Sequence, residues 1–266
     1  MFSWLLLAAQ ILAEILVSAQ TARTEGPRFV QAEGNGCKVW SSPLEGSEII
    51  TWSGPCPAGL AEGMGVAEWV REGRVVGRLE GRLCAGKADG FAIATWSNGD
   101  RYEGEWRDGL WYGRGLLASA DGSFYDGEWR NSRASGRGIH IWSNGDRYEG
   151  DWRDGKRSGR GTFTWSDGAR YDGEWRNGGM DGRGTFTYRS GARYEGEFRR
   201  GKRTGLGTLY FASGWYWGEW RNNRPGGKGT AVIDGRVHAG MWHNGCHQGS
   251  GYNVWVATSK AECDFK

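Results

Sequence analysis

From residue 52 to residue 255 the chain alternates apolar and polar residues with a period of two, in short runs broken by glycine-bearing turns. In Thr162–Trp165 and again in Ala169–Trp175, Phe163, Trp165, Tyr171, Gly173 and Trp175 fall on one face of an extended backbone. Thr162, Thr164, Arg170, Asp172 and Glu174 fall on the other. Two such runs joined by Ser166-Asp167-Gly168 read as a β-hairpin, and the predicted sheet is aromatic on one side and polar on the other. One hairpin is marginal in water, so each must draw its stability from stacking on its neighbours.

The neighbours are copies. Tyr102-Glu-Gly-Glu-Trp106 recurs at Tyr125–Trp129, Tyr148–Trp152, Tyr171–Trp175 and Tyr194–Phe198, each 23 residues after the last. Copies at Tyr216–Trp220 and His238–Trp242 follow at a step of 22, Leu79–Leu83 precedes, and a degenerate ninth copy starts at Trp52 with Cys56 in the Trp place. Each carries a downstream glycine pair such as Gly113 and Gly115 or Gly159 and Gly161. The Gly between Tyr and Trp is expected to let a neighbouring unit's ring lie flat on the backbone, and the pair at 159 and 161 to serve a turn with positive φ. Ser132 and Asn223 replace a turn glycine, Ala92 replaces the second of its pair, and Arg71–Arg78 lengthens one hairpin. Such departures at the ends fit the atypical caps that repeat arrays require.

This pattern, Tyr-x-Gly-x-Trp-x-x-Gly-x-x-x-Gly-x-Gly on a 22 to 23 residue period, resembles the MORN repeat. The resemblance implies an all-β fold, an elongated single-layer twisted antiparallel sheet of about nine consecutive hairpins with a groove along the aromatic face. It also implies a non-catalytic scaffold that binds partner proteins or membrane lipids. Gly36–Trp40 followed by Trp52–Cys56 is similar to the opening of exported bacterial members.

Composition agrees with the β reading. The 266 residues include 48 Gly and 17 Trp with only 5 Pro, which excludes a helical bundle and collagen. Aromatic residues at 14% exclude disorder. Lys and Arg number 34 against 31 Asp and Glu, for a net charge of +3 made of mixed signs. Arg dominates the cations, which points to packing on aromatic faces or pairing with carboxylates. The alternating signs of the polar face predict no nucleic-acid partner.

Residues 2 to 17 form an apolar run followed by small residues at 17 to 19, so residues 1–19 read as a signal peptide and the protein as periplasmic or secreted. The polar stripe Ser3, Gln10, Glu14 supports a competing reading, an uncleaved segment that associates the chain with a membrane. Residues 20–51 form an N-terminal cap segment, 52–255 the array and 256–266 a tail or cap. In an oxidising compartment two disulfides are expected, Cys37 with Cys56 and Cys246 with Cys263, leaving Cys84 free. Closing the first span is worth about 3 kcal/mol.

No catalytic motif is found. The paired carboxylates Glu103 and Glu105, Asp126 and Glu128, and Asp172 and Glu174 recur in repeat after repeat, as a solvated ladder crossed with Arg107, Arg130, Arg153 and Arg176 would and a single active site would not. His238, His243, Cys246 and His247 cluster, but strand alternation parts them, so no metal and no cofactor is expected. The expected function is a scaffold that receives an extended or helical protein segment on Tyr102, Trp106, Tyr125, Trp129, Tyr148, Trp152, Tyr171, Trp175 and Tyr194. The alternative is phospholipid headgroups held by Arg107, Lys156, Arg157, Lys202 and Arg203. Glycan stacking on exposed Trp and a homodimer that covers the aromatic face remain open at this point.

Overall fold

The computed structural model describes residues 27–41, 48–249 and 252–256. It contains strands β1 (Arg28–Gln31), β2 (Lys38–Ser41), β3 (Ile49–Trp52), β4 (Gly63–Arg71), β5 (Arg74–Cys84), β6 (Lys87–Trp96) and β7 (Arg101–Arg107). There follow β8 (Leu110–Ala118), β9 (Phe124–Arg130), β10 (Arg133–Ile141), β11 (Arg147–Arg153), β12 (Lys156–Thr164), β13 (Arg170–Arg176) and β14 (Gly179–Thr187). The last are β15 (Arg193–Arg199), β16 (Lys202–Phe211), β17 (Gly214–Arg221), β18 (Arg224–Ile233), β19 (Arg236–Trp242), β20 (Cys246–Gly249) and β21 (Tyr252–Trp255). The expected signal peptide and Cys263 lie outside the described residues.

From β3 to β19 every strand pairs antiparallel with its neighbours in the chain, giving one meander in sequence order. Among the described residues no register joins β3 to β19, and each end is covered by a different hairpin. At the first end Glu33 bridges Thr51 and donates its N–H to the Ile50 carbonyl at 2.7 Å, which blunts the edge of β3. At the other, β20 and β21 pair beyond β19, and His247 stacks on Trp242.

Alternate connections along the array, such as 108–109, 131–132 and 154–155, are two-residue turns whose geometry explains the sequence, while those between them, such as 165–169, take five residues. Asp154 and Gly155 both have positive φ (50° and 76°), the type I′ turn that matches the twist of a hairpin and favours Asn-Gly or Asp-Gly. Ser132 and Asn223, which replace glycine there, hold the same conformation and use their side chains, Ser132 Oγ accepting from Trp111 N and Asn223 Oδ1 from Arg203 N. In the turns from 108–109 to 222–223 that recur once per repeat, the second residue also donates its N–H to the preceding repeat, as from Gly155 to Ala134 O and from Gly178 to Arg157 O, both at 2.9 Å. These bonds lie outside the ladders and lock one turn to the next.

β4 and β5 make the longer hairpin that the sequence predicts, closing on Glu72-Gly73 with a register shift at Trp69/Val70. The β1–β2 hairpin lies along the turns of the first repeats: Trp40 N donates to Gly86 O, Ala61 N to Lys38 O, and Cys37 is bonded to Cys56. Cys246 is also disulfide-bonded, and Cys84 is a free thiol that is exposed.

Candidate partner-binding face

The nine aromatic residues expected to contact a partner pack between repeats. Tyr102, Tyr125, Tyr148, Tyr171 and Tyr194 are 0 to 4% exposed, Trp129, Trp152 and Trp175 are 5 to 7% exposed, and only Trp106 is half-buried. Each Tyr ring lies on two glycines of its own repeat, the one between Tyr and Trp and the second of the downstream pair, not on those of a neighbour: a Cβ added at Gly161 would come within 2.4 Å of the Tyr148 hydroxyl oxygen. Gly161 therefore serves close approach, while Gly159, at φ 57°, serves a bulge. The Tyr148 hydroxyl donates to the Asp151 carbonyl at 3.0 Å, and burial pushes its pKa up, as it does for the other four tyrosines.

The Trp rings bind repeats together. Trp152 stands edge-on between Tyr125 and Tyr148, and its Nε1 donates to the Gly138 carbonyl of the preceding repeat. The same arrangement holds for Trp129, Trp175 and Trp220, and Trp242 Nε1 donates likewise to the Gly229 carbonyl, with its ring edge-on to Tyr216 and stacked on His247.

The aromatic face is not open. The residue opposite each Trp, one strand on, covers the rings: Trp111 stacks on Tyr102 with centroids 4.3 Å apart, Arg157 lies over Trp175 and Phe163, and Arg203 lies over Trp220. Burial brings the Arg157 pKa down to about 10, so it stays charged at neutral pH. Its Nη2 donates to the Gly178 carbonyl at 2.8 Å. Arg107 lies over Tyr112. Of the five cations expected at lipid headgroups, only Lys156 and Lys202, both exposed beside turns, lie free of a ring.

The hollow lies on the polar face. A trough of about 480 Å³ runs over Gly127, Gly138, Gly150 and Gly161, between two rows of side chains set by the strand register. One row reads Asp126, Ile139, Glu149, Thr162, Asp172, Thr185, Glu195 across consecutive strands β9 to β15. The other carries Arg114, Arg137, Arg160 and Arg183, one per repeat, facing Glu128, Asp151, Glu174 and Glu197. All four arginines are exposed.

The carboxylates have local work, and the crossing with Arg107, Arg130, Arg153 and Arg176 is replaced by other partners. Glu105, Glu128, Asp151 and Glu174 each accept the N–H of a bulge residue, Arg114, Arg137, Arg160 and Arg183 respectively, at 2.9 to 3.2 Å. Asp172 pairs with Arg170 and Glu195 with Arg193, two residues upstream, in the same manner as Glu103 with Arg101. What sequence reasoning missed is the Arg row itself. Its signal was present as Gly-Arg-Gly at 113–115, 136–138, 159–161 and 182–184.

Toward the C-terminal end the same face turns apolar. Leu206, Tyr210, Trp217, Val237 and Met241 are exposed there, Trp217 at 52% and Met241 at 65%. A second, separate hollow, lined by Arg183, Glu195, Glu197, Leu206, Thr208 and Trp217, lies between this platform and the charged trough.

No curated protein matches the sequence. Among solved structures the chain is similar to the TCP domain of Drosophila melanogaster SAS-4 in complex with a proline-rich motif of Ana2, at 12% identity and a TM-score of 0.36, covering 59% of this chain and 87% of that one. It is similar to the TCP10 domain of Danio rerio CPAP in complex with a STIL peptide, at 15% and 0.35, covering 72% and 93%. It is also similar to the CPAP G-box domain, at 12% and 0.36, covering 82% and 100%. The MORN repeat matches residues 85–101, 102–124, 125–147, 148–170, 171–193, 194–216 and 216–232, and the aromatic, glycine and turn positions of these units have the structural roles described above. The chain belongs to the MORN-repeat family.

Proposed function

We propose that this array is a scaffold that receives an extended segment of a partner protein along its polar trough, with the apolar platform at Trp217 and Met241 as the anchoring end. The observation that carries the reading is the trough: a hollow that spans several repeats, lined by exposed arginines and carboxylates, with a second hollow beside exposed apolar side chains farther along the same face. The aromatic face is spent on holding repeats together. Ion pairs exposed on a rim contribute register and specificity, while a half-exposed Trp is the kind of side chain that dominates binding energy. The same carboxylates recur in the regular repeats and are tied to a backbone N–H or an arginine, as Glu128, Asp151 and Asp172 are, which speaks for structure and against catalysis.

Site-specific photo-crosslinking tests this. A benzophenone side chain at Thr162, in the trough, is expected to capture protein partners that the same group at Trp96, on the aromatic face, does not. Adducts should fall when Trp217 is changed to Arg. Equal capture from both faces, or none from Thr162 in cells that produce the protein, would overturn the trough as the binding face.

A further inference from the structure

The trough has a repeat distance, and that distance fits one backbone conformation. Each repeat contributes two strands, so the arginines at 114, 137, 160 and 183 recur about every 9.6 Å across the sheet. Asp126, Glu149, Asp172 and Glu195 recur at the same interval in the facing row. A polyproline II helix has three residues per turn and rises about 3.1 Å per residue, so every third side chain returns to the same face after about 9.3 Å. Over four repeats the two periods drift apart by only about 1 Å. An α-helix returns to one face after about 10.5 Å, at every seventh residue, and drifts about three times as far. A β-strand alternates faces and cannot present every third residue to one wall.

Charge then sets the sequence of the occupant. Of three faces around a polyproline II segment, one meets the arginine wall, one meets the carboxylate wall and one faces water. The carboxylates facing the arginines accept bulge N–H groups, and Arg137 Nε also reaches Asp151 Oδ1 at 3.5 Å, which engages one of its five donors; the guanidinium groups, long and exposed, keep further donors for a ligand.

We infer that the trough accepts a polyproline II segment of a partner protein carrying an acidic residue at every third position and a basic or hydrogen-bond-donating residue beside it. The inference rests on the proposed scaffold function and deepens it. No ordering of the array is needed, and a segment already biased to polyproline II loses little entropy on docking.

The test uses fluorescein-labelled peptides of two, three, four and five Glu-Lys-Pro triplets with the full chain, read by anisotropy at low salt. A peptide of the same composition, shuffled so that no charge recurs every third residue, is the control. Affinity is expected to rise with each triplet up to four and then level off. The shuffled peptide is expected to bind about tenfold more weakly than its four-triplet counterpart. R137E/R160E should lose that advantage, with an unchanged near-ultraviolet circular dichroism spectrum showing that the array is folded. If the shuffled peptide binds equally well, or if neither binds, the three-residue register is wrong. The scaffold reading then stands or falls on its own crosslinks from Thr162. If affinity climbs past four triplets without levelling, the arginine row is not what is being counted and the inference is again overturned.

Discussion

Glycine and tyrosine divide the work within a repeat. Gly150 and Gly161 lie opposite each other in the ladder so that the Tyr148 ring can rest on bare backbone, and a methyl group at either place would meet the ring or the opposing strand within 2.5 Å. Where the repeat lacks its Tyr, the space is filled another way: Leu79 stands in the Tyr place and the Ala92 methyl covers the Gly81 Cα. His140 shows a different residue-scale effect. It lies on the aromatic face against Tyr125 and Trp142, and burial, reinforced by the Arg157 charge and opposed by Asp121, brings its pKa from 6.5 to about 4. The folded state therefore resists protonation that the unfolded chain accepts. This contribution is fully present above pH 6.5 and is lost as pH falls toward 4, about 2 to 3 kcal/mol by pH 4.5. Urea unfolding at pH 7.5 and pH 4.5 checks it. The native chain should lose that much more stability than His140→Phe, and equal losses would remove His140 from the acid response.

At the scale of the element, the hairpin is defined by two turn residues at positive φ, and their chemistry predicts which turns are strained. Asp108, Asn131, Asp154 and Asn177 hold the first place with side chains that tolerate this conformation, whereas Arg200 holds it at φ 50°. Its backbone N–H donates to Asp181 Oδ2, a bond that any residue but proline retains. Arg200→Asn should therefore stabilise the protein by about 0.5 to 1 kcal/mol, seen as a higher urea midpoint at unchanged slope. A lower midpoint would mean that the Arg200 side chain has work of its own.

Much of this element was legible in the sequence. The 23-residue step, the period-two alternation and the glycine pairs give strands, turns and the buried face directly. The residue that covers the rings was not legible, because its place varies from Trp111 to Ala134, Arg157, Met180 and Arg203, and a position that varies in polarity leaves no periodic signal. Without it the aromatic face read as an open surface and its rings as contacts. The trough escaped for a related reason. The carboxylates are legible as a ladder, but the arginines that wall the hollow sit inside glycine pairs, where the glycine spacing is the stronger pattern.

At the scale of the whole molecule, the sheet is a sum of similar units, each bonded to the next by one ladder, one turn bond and one Trp Nε1 bond. Stability in such an array accumulates from nearest-neighbour interfaces, so a unit can leave if its departure joins matching surfaces. Residues 148–170 form one complete period, and their removal would join Arg147 to Tyr171, restoring an Arg-Tyr pair that Arg147 already makes with Tyr148. The Trp175 ring would then stand between Tyr125 and Tyr171, with Nε1 facing the Gly138 carbonyl that Trp152 now uses. The shortened chain should fold, with native-like near-ultraviolet circular dichroism and a reduced urea midpoint, and its trough should saturate with one triplet fewer than the full chain. Removal of only 148–159 leaves the same residues upstream but places β-faces out of phase with their neighbours, and should abolish the folded signal. A folded protein from the second deletion, or an unfolded one from the first, would show that the array is not additive and that its repeats depend on contacts beyond the next unit.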